Sequence, residues 1–182
     1  MNIIETPIKD LVIIEPKIWK DDRGYFFESY NKALFEKLGL NAEFVQDNQS
    51  YSHKNALRGL HAQATPYAQG KLVRVVQGKV LDVAVDIRKD SPTYGQHFSV
   101  ELSGENNKMF YVPPGFLHGF LTLEDKTIFN YKCTGLFHKD AEIGVIWNDK
   151  DLRIDWGINF EDTVVSPKDA VLPAFSTINS PF

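Results

Sequence analysis

The clearest signal along the chain is alternation with a period of two. In Val80-Leu81-Asp82-Val83-Ala84-Val85-Asp86-Ile87-Arg88, the residues Leu81, Val83, Val85 and Ile87 share one face. Asp82, Asp86 and Arg88 share the other, which is the pattern of a β-strand. Lys71–Val76 is a second β-rich run, and Gln77-Gly78-Lys79 joins the two as a hairpin turn. Further strands are expected over Leu11–Glu15, Gly24–Tyr30, Phe44–Ser52, Leu57–His61, His97–Leu102, Lys108–Val112, Gly119–Leu123 and Thr127–Thr134. Turn signals such as Ser91-Pro92, Ser103–Asn107 and Pro113-Pro114-Gly115 separate them. Helical spacing is clear only in Asn31–Leu38, with Gly39 as its stop. A short helix is also expected at Pro167–Ala170, capped by Ser166. Many short strands punctuated by turns point to an all-β sandwich or barrel rather than an α/β fold.

Composition narrows the class without changing that picture. The 182 residues suit one domain, 1–182, and no repeat or linker divides them. An apolar fraction of 43% with 24% charged residues is that of a globular protein able to bury a core. The formal net charge of −4 argues against a broad nucleic-acid footprint, yet a few local cations can still hold a phosphate. Cys133 is the only cysteine, which excludes an internal disulfide and any Cys-based metal spacing. No signal-like leader and no uncharged apolar run of membrane length is present, so a soluble, cytoplasmic protein is expected, with no membrane partner.

Four short stretches could carry chemistry. Arg58-Gly59-Leu60-His61-Ala62-Gln63 is followed closely by Gln69-Gly70-Lys71. Val112–Phe120 contains a Pro/Gly turn that delivers His118 to the start of a strand, a feature of the mouth of cupin barrels. Tyr131-Lys132 lies in a mostly apolar strand, and Ser166-Pro167-Lys168-Asp169-Ala170 is the fourth. Singly, each has an ordinary reading: His61 a satisfied core histidine, Tyr131 a core aromatic, Lys71 a solvated cation, Asp169 a first-turn charge. Only their combination argues for a site. Strict alternation sends Arg58 and His61 to opposite faces, so one cavity takes both only if the strand is irregular at Gly59.

Several reaction classes lack their residues. Metal-bearing cupins need His-x-His and a nearby Glu, whereas Gln63 stands two after His61 and no Glu lies in 64–69. Rossmann, P-loop and Gly-x-Ser-x-Gly signatures are missing as well. Acid–base chemistry beside a carbonyl, without metal or cofactor, is what remains. It needs a base of near-neutral pKa, a positive group at the enolate oxygen, and an acid on the opposite face. His61 suits the base, with Asp169 orienting its ring; Lys71 suits the enolate oxygen; Tyr131 suits the acid.

At these residues the chain closely resembles the dTDP-4-dehydrorhamnose 3,5-epimerase family. The match runs in order from about Val12 to Ala170. It takes in Asp22–Tyr30, Phe44–Asn48, Leu57–His61, Gln69–Arg74, Asp82–Arg88, Pro114–Phe120 and Trp147-Asn148-Asp149. The resemblance implies a cupin-type double-stranded β-helix, or jelly roll, with a few short helices. It implies a homodimer whose N-terminal strands cross to the partner, and a dTDP-linked 4-keto-6-deoxy sugar as substrate. By position it makes His61 the base, Asp169 its partner, Tyr131 the acid and Lys71 the enolate stabiliser, while Arg58 resembles the diphosphate-binding arginine. Arg23, Phe26, Glu28, Gln46 and Asn48 match positions that hold nucleotide or sugar, some from the neighbouring subunit. His118 and Glu142 match further site positions, and no metal or organic cofactor is implied. Ala62 stands where the family usually has an aromatic residue, and the stretches 64–68 and 134–143 also depart from its pattern.

The leading expectation is therefore inversion of C3 and C5 of dTDP-4-keto-6-deoxy-D-glucose, giving dTDP-4-keto-L-rhamnose. A mono-epimerase acting on C3 or C5 alone, on a related nucleotide-linked 4-keto sugar, is the nearest alternative. A metal-dependent cupin oxygenase and a non-catalytic sugar-binding cupin are the remoter ones.

Overall fold

The computed structural model describes residues 1–182. In chain order the strands are β1 (Asn2–Glu5), β2 (Val12–Glu15), β3 (Trp19–Asp21) and β4 (Gly24–Phe26). After helix α1 (Lys32–Lys37) come β5 (Gln46–Ser52), β6 (Ala56–Gln63), β7 (Lys71–Gln77), β8 (Lys79–Asp86) and β9 (His97–Ser103). They are followed by β10 (Met109–Val112), β11 (Phe116–Thr122), β12 (Thr127–Cys133), β13 (Glu142–Gly144) and β14 (Val164–Val165). One sheet runs β1-β2-β10-β7-β12-β5; the other runs β13-β6-β11-β8-β9, with β14 added parallel to β6. This is the expected all-β cupin-type jelly roll.

Apolar residues from both sheets meet in the barrel interior: Val73, Val75, Phe110 and Phe129 from the first, Val80, Ala84, Phe116 and Phe120 from the second. The outer face of the second sheet is covered by the C-terminal segment. There Leu57, Leu60, Val83 and Leu117 pack with Trp147, Leu152 and Trp156. On the outer face of the first sheet, Phe35 of α1 closes over Ile14, Leu72 and Met109. The fully apolar face of β8 thus packs outward under the C-terminal segment, and the face bearing Asp82 turns into the barrel.

The expected strand Gly24–Tyr30 ends at Phe26. Beyond it the Tyr30 ring packs edge-on against Phe35 and Phe44, and the Glu28 carboxylate accepts a hydrogen bond from Asn31. Asn31 in turn caps α1 by accepting from the Leu34 N–H, so this stretch serves the helix and not a sheet. The short helix expected at Pro167–Ala170 starts two residues later, as a single 3-10 turn over Asp169–Val171, with Ser166 Oγ accepting the Asp169 N–H.

The irregularity anticipated in β6 is present. His118 pairs with His61 and Phe120 with Arg58, so three steps on β6 oppose two on β11. Gly59 sits in this bulge at φ +118°, and a Cβ there would lie 2.6 Å from the Gly119 Cα. Gly119 faces the same restriction, since its Cβ would meet the Arg58 carbonyl oxygen at 2.7 Å. Glycine is needed at both positions. Gly59→Ala is expected to cost about 2–5 kcal/mol of stability through backbone strain and overpacking, read from the midpoint of urea unfolding.

Candidate active site

The bulge turns Arg58 and His61 onto one side of β6, where both border a cavity of about 490 Å³. Lys71, His118, Tyr131 and Asp169 line the same cavity. Lys71 shares the inward face of β7 with Val73 and Val75, which are wholly buried in the core. Tyr131 follows Phe129 on the inward face of β12, their ring centroids 6.0 Å apart. Asp169 arrives from far along the chain because β14 pairs in parallel with Ala56 and Leu57, fastening the C-terminal segment beside β6.

His61 Nε2 lies 2.7 Å from Asp169 Oδ1, and Asp169 Oδ2 accepts the Gly59 backbone N–H at 3.2 Å. A carboxylate is acceptor-only, so this contact places the ring proton on Nε2 and leaves the lone pair on Nδ1. Glu142 Oε1 lies 4.0 Å from Nδ1. Burial lowers the His61 pKa from its ordinary value and the nearby Lys71 adds to this, while Asp169 and Glu142 oppose it. The ring is thus neutral and able to accept a proton at pH 7.

Desolvation also lowers the Lys71 pKa, against the pull of Cys133, Asp82 and Glu142. An ammonium held this way is a strong partner for oxygen charge that develops nearby. Burial raises the Tyr131 pKa, with Cys133 adding and Arg58 opposing, so its phenol keeps its proton as an acid must. Arg58 donates from Nε to Ser52 Oγ at 3.2 Å, which directs the rest of its guanidinium fork to the cavity mouth. Cations therefore converge at this opening although the whole chain is acidic.

A recess of about 280 Å³ adjoins the cavity and shares His61, Lys71 and Tyr131 with it. Gln46, Asn48 and Glu142 line this recess, together with the exposed ring of Phe137. Gln46 donates to Asn48 Oδ1 and accepts the Phe137 N–H, fixing the aromatic beside the amides. Arg23, Phe26 and Glu28 line neither space. Arg23 is 89% exposed and paired with Asp21, and Phe26 is exposed on the same β3–β4 hairpin.

Two site groups escape a reading by pattern. Asp82 lies in an alternating strand, where an acid opposite an apolar face reads as solvated, yet it is wholly buried and contacts His118 at 2.8 Å. Lys168 adjoins the expected Asp169 and pairs with Glu142, the same carboxylate that faces His61. Its only sequence signal is membership of the Ser-Pro-Lys-Asp stretch. The two divergent stretches meet each other: the Tyr67 and His138 rings stack with centroids 3.8 Å apart. Gln63 ties them, donating to the Tyr67 and Leu136 carbonyls and accepting the His138 N–H. No group of three or more His, Cys, Asp or Glu side chains is arranged to hold a metal ion.

The geometry has close counterparts. A solved structure of the 3,5-epimerase of Legionella pneumophila in complex with dTDP-4-keto-L-rhamnose superposes with a TM-score of 0.93 at 49% identity, covering 98% of this chain and 94% of that one. The dTDP-4-dehydrorhamnose 3,5-epimerase of Shigella flexneri is 51% identical over 93% of each chain. That of Methanothermobacter thermautotrophicus is 50% identical, over 92% of this chain and 91% of its own. The pattern of the same family matches residues 5–177. With a jelly-roll barrel, a His–Asp pair beside a lysine and a tyrosine, and half its residues shared with such relatives, the chain belongs to the dTDP-4-dehydrorhamnose 3,5-epimerase family.

Proposed function

We infer that the protein inverts C3 and C5 of dTDP-4-keto-6-deoxy-D-glucose, producing dTDP-4-keto-L-rhamnose. The observation that carries the reading is the His61–Asp169 pair in one cavity with Lys71 and Tyr131. The C4 ketone makes the hydrogens on both neighbouring carbons acidic. His61 Nδ1 removes one, Asp169 stabilises the imidazolium that forms, and Lys71 neutralises the enolate oxygen. Tyr131 then gives its proton to the opposite face of the carbon; water takes the proton from His61 and returns one to Tyr131, and the cycle repeats at the second carbon. Arg58 takes the diphosphate, His118 and Glu142 hold the sugar, and Gln46 and Asn48 with Phe137 take the nucleoside.

Incubation with dTDP-4-keto-6-deoxy-D-glucose in heavy water tests this by mass spectrometry and NMR. Deuterium at both C3 and C5, in product of inverted configuration, is the expected result. Label at one carbon would make the protein a mono-epimerase, and none above a protein-free control would sink the epimerase reading. Arg58→Ala is expected to raise KM about 10- to 100-fold with kcat little changed, as loss of a charged phosphate contact should. Unchanged KM would remove the diphosphate role from Arg58.

A homodimer fits the same reading. Arg23, Phe26 and Glu28 stand away from the chain's own cavity on or beside an exposed hairpin, which supports a role for them in a partner's site. Sedimentation should give a dimer, and mixing inactive Arg23→Ala and His61→Ala chains should restore part of the activity. A monomer of full activity would end this part of the proposal.

A further inference from the structure

The cavity holds a second histidine–carboxylate pair, and its carboxylate, Asp82, has no part in the proton transfers at C3 and C5. His118 on β11 is the register partner of His61 on β6, so the two imidazoles stand opposite each other on neighbouring strands. His118 Nε2 lies 2.8 Å from Asp82 Oδ1 on β8, much as His61 Nε2 meets Asp169. The surroundings differ, however. Asp82 is wholly buried, whereas Asp169 spends its second oxygen on the Gly59 N–H. Asp82 Oδ2 has no hydrogen-bond partner at all. A buried carboxylate oxygen left unpaired is costly, and a hydrophobic residue would avoid that cost. Its persistence among Val80, Ala84 and Phe120 asks for a reason in the site.

We propose that Asp82 is a positioning residue: it fixes His118 as the Nε2–H tautomer, with Nδ1 presented to the cavity as an acceptor. The assignment follows from donor and acceptor roles. An ionised carboxylate accepts only, so His118 must donate from Nε2, and a neutral imidazole then offers an acceptor at Nδ1. Facing substrate, that nitrogen takes a hydrogen bond from a sugar hydroxyl and cannot donate one to a carbonyl. Polarising the C4 ketone is thereby left to Lys71, which lines the same cavity. Burial drives the carboxyl of Asp82 upward, and His118 first, then Lys71, oppose that shift.

The inference rests on the epimerase reading of the site, but one of its tests needs no turnover. In protein labelled with nitrogen-15 at histidine, the His118 ring should show the Nε2–H tautomer at pH 7, assigned by its loss in His118→Gln. An Nδ1–H tautomer or an imidazolium at that pH would overturn the proposal, whatever the activity. In kinetics, Asp82→Asn should lower kcat/KM about 10- to 50-fold. A folded Asp82→Asn with unaltered kcat/KM would also overturn it. If Asp82→Asn fails to fold, the tautomer measurement on the unaltered protein decides. If neither protein turns over substrate while the tautomer is as stated, the epimerase reading fails and the positioning role stands.

Discussion

Replacing His61 by alanine is expected to lower kcat/KM by about 10³- to 10⁴-fold and to abolish solvent exchange at both C3 and C5. That loss corresponds to about 4–5.5 kcal/mol of transition-state stabilisation. The size follows from what His61 alone supplies. It is the neutral imidazole whose Nε2 is held at 2.7 Å by Asp169, and its pKa is lowered mainly by burial. Glu142, the carboxylate beside the His61 Nδ1, is engaged by Lys168. Because His61 lines the cavity wall and is not part of the apolar core, truncation should leave the fold intact. Loss of exchange at one carbon only would show that two bases divide the work, and exchange at the normal rate would remove His61 from the chemistry.

How far the fold and site were legible in sequence depended on whether the residues followed a local pattern. Alternation marked most strands of both sheets, and the Asn31 cap with its apolar spacing marked α1. It missed β1, β3, β13 and β14, each two to four residues long, too short for a periodic signal. The facing of β8 was not legible, because both sides of that strand are covered. An acidic residue on a strand buried on both faces looks in sequence like one facing water, so the pattern alone does not single out Asp82. The shared orientation of Arg58 and His61 required the bulge that Gly59 permits, and a glycine alone permits a bulge without fixing one. The facing of Lys71 is set by the burial of Val73 and Val75 in the core, which local pattern does not orient. Asp169 illustrates the limit from the other direction. Nothing local connects it to His61, and the pairing of β14 with β6 brings it there.

Tyr131→Phe should separate the two halves of the reaction. The substitution removes only the phenolic oxygen, and the ring keeps its packing beside Phe129, so stability should change little. Formation of inverted product is expected to fall about 10²- to 10³-fold, the usual scale for loss of a positioned acid. Proton removal should survive, because His61, Asp169 and Lys71 are untouched. The enolate would then be reprotonated from the only side that still carries an acid, the His61 imidazolium. That returns the starting configuration with a solvent proton in place of the original one. In heavy water the recovered substrate should therefore gain deuterium faster than inverted product appears, reversing the order in the unaltered protein. The raised pKa of Tyr131 supports this assignment, since a phenol that holds its proton firmly in the ground state must be drawn out by the stronger base, the carbanion. Full inversion at both carbons in Tyr131→Phe would transfer the acid's role to another group on that face. Equal loss of exchange and inversion would instead place Tyr131 in the first proton transfer, alongside His61.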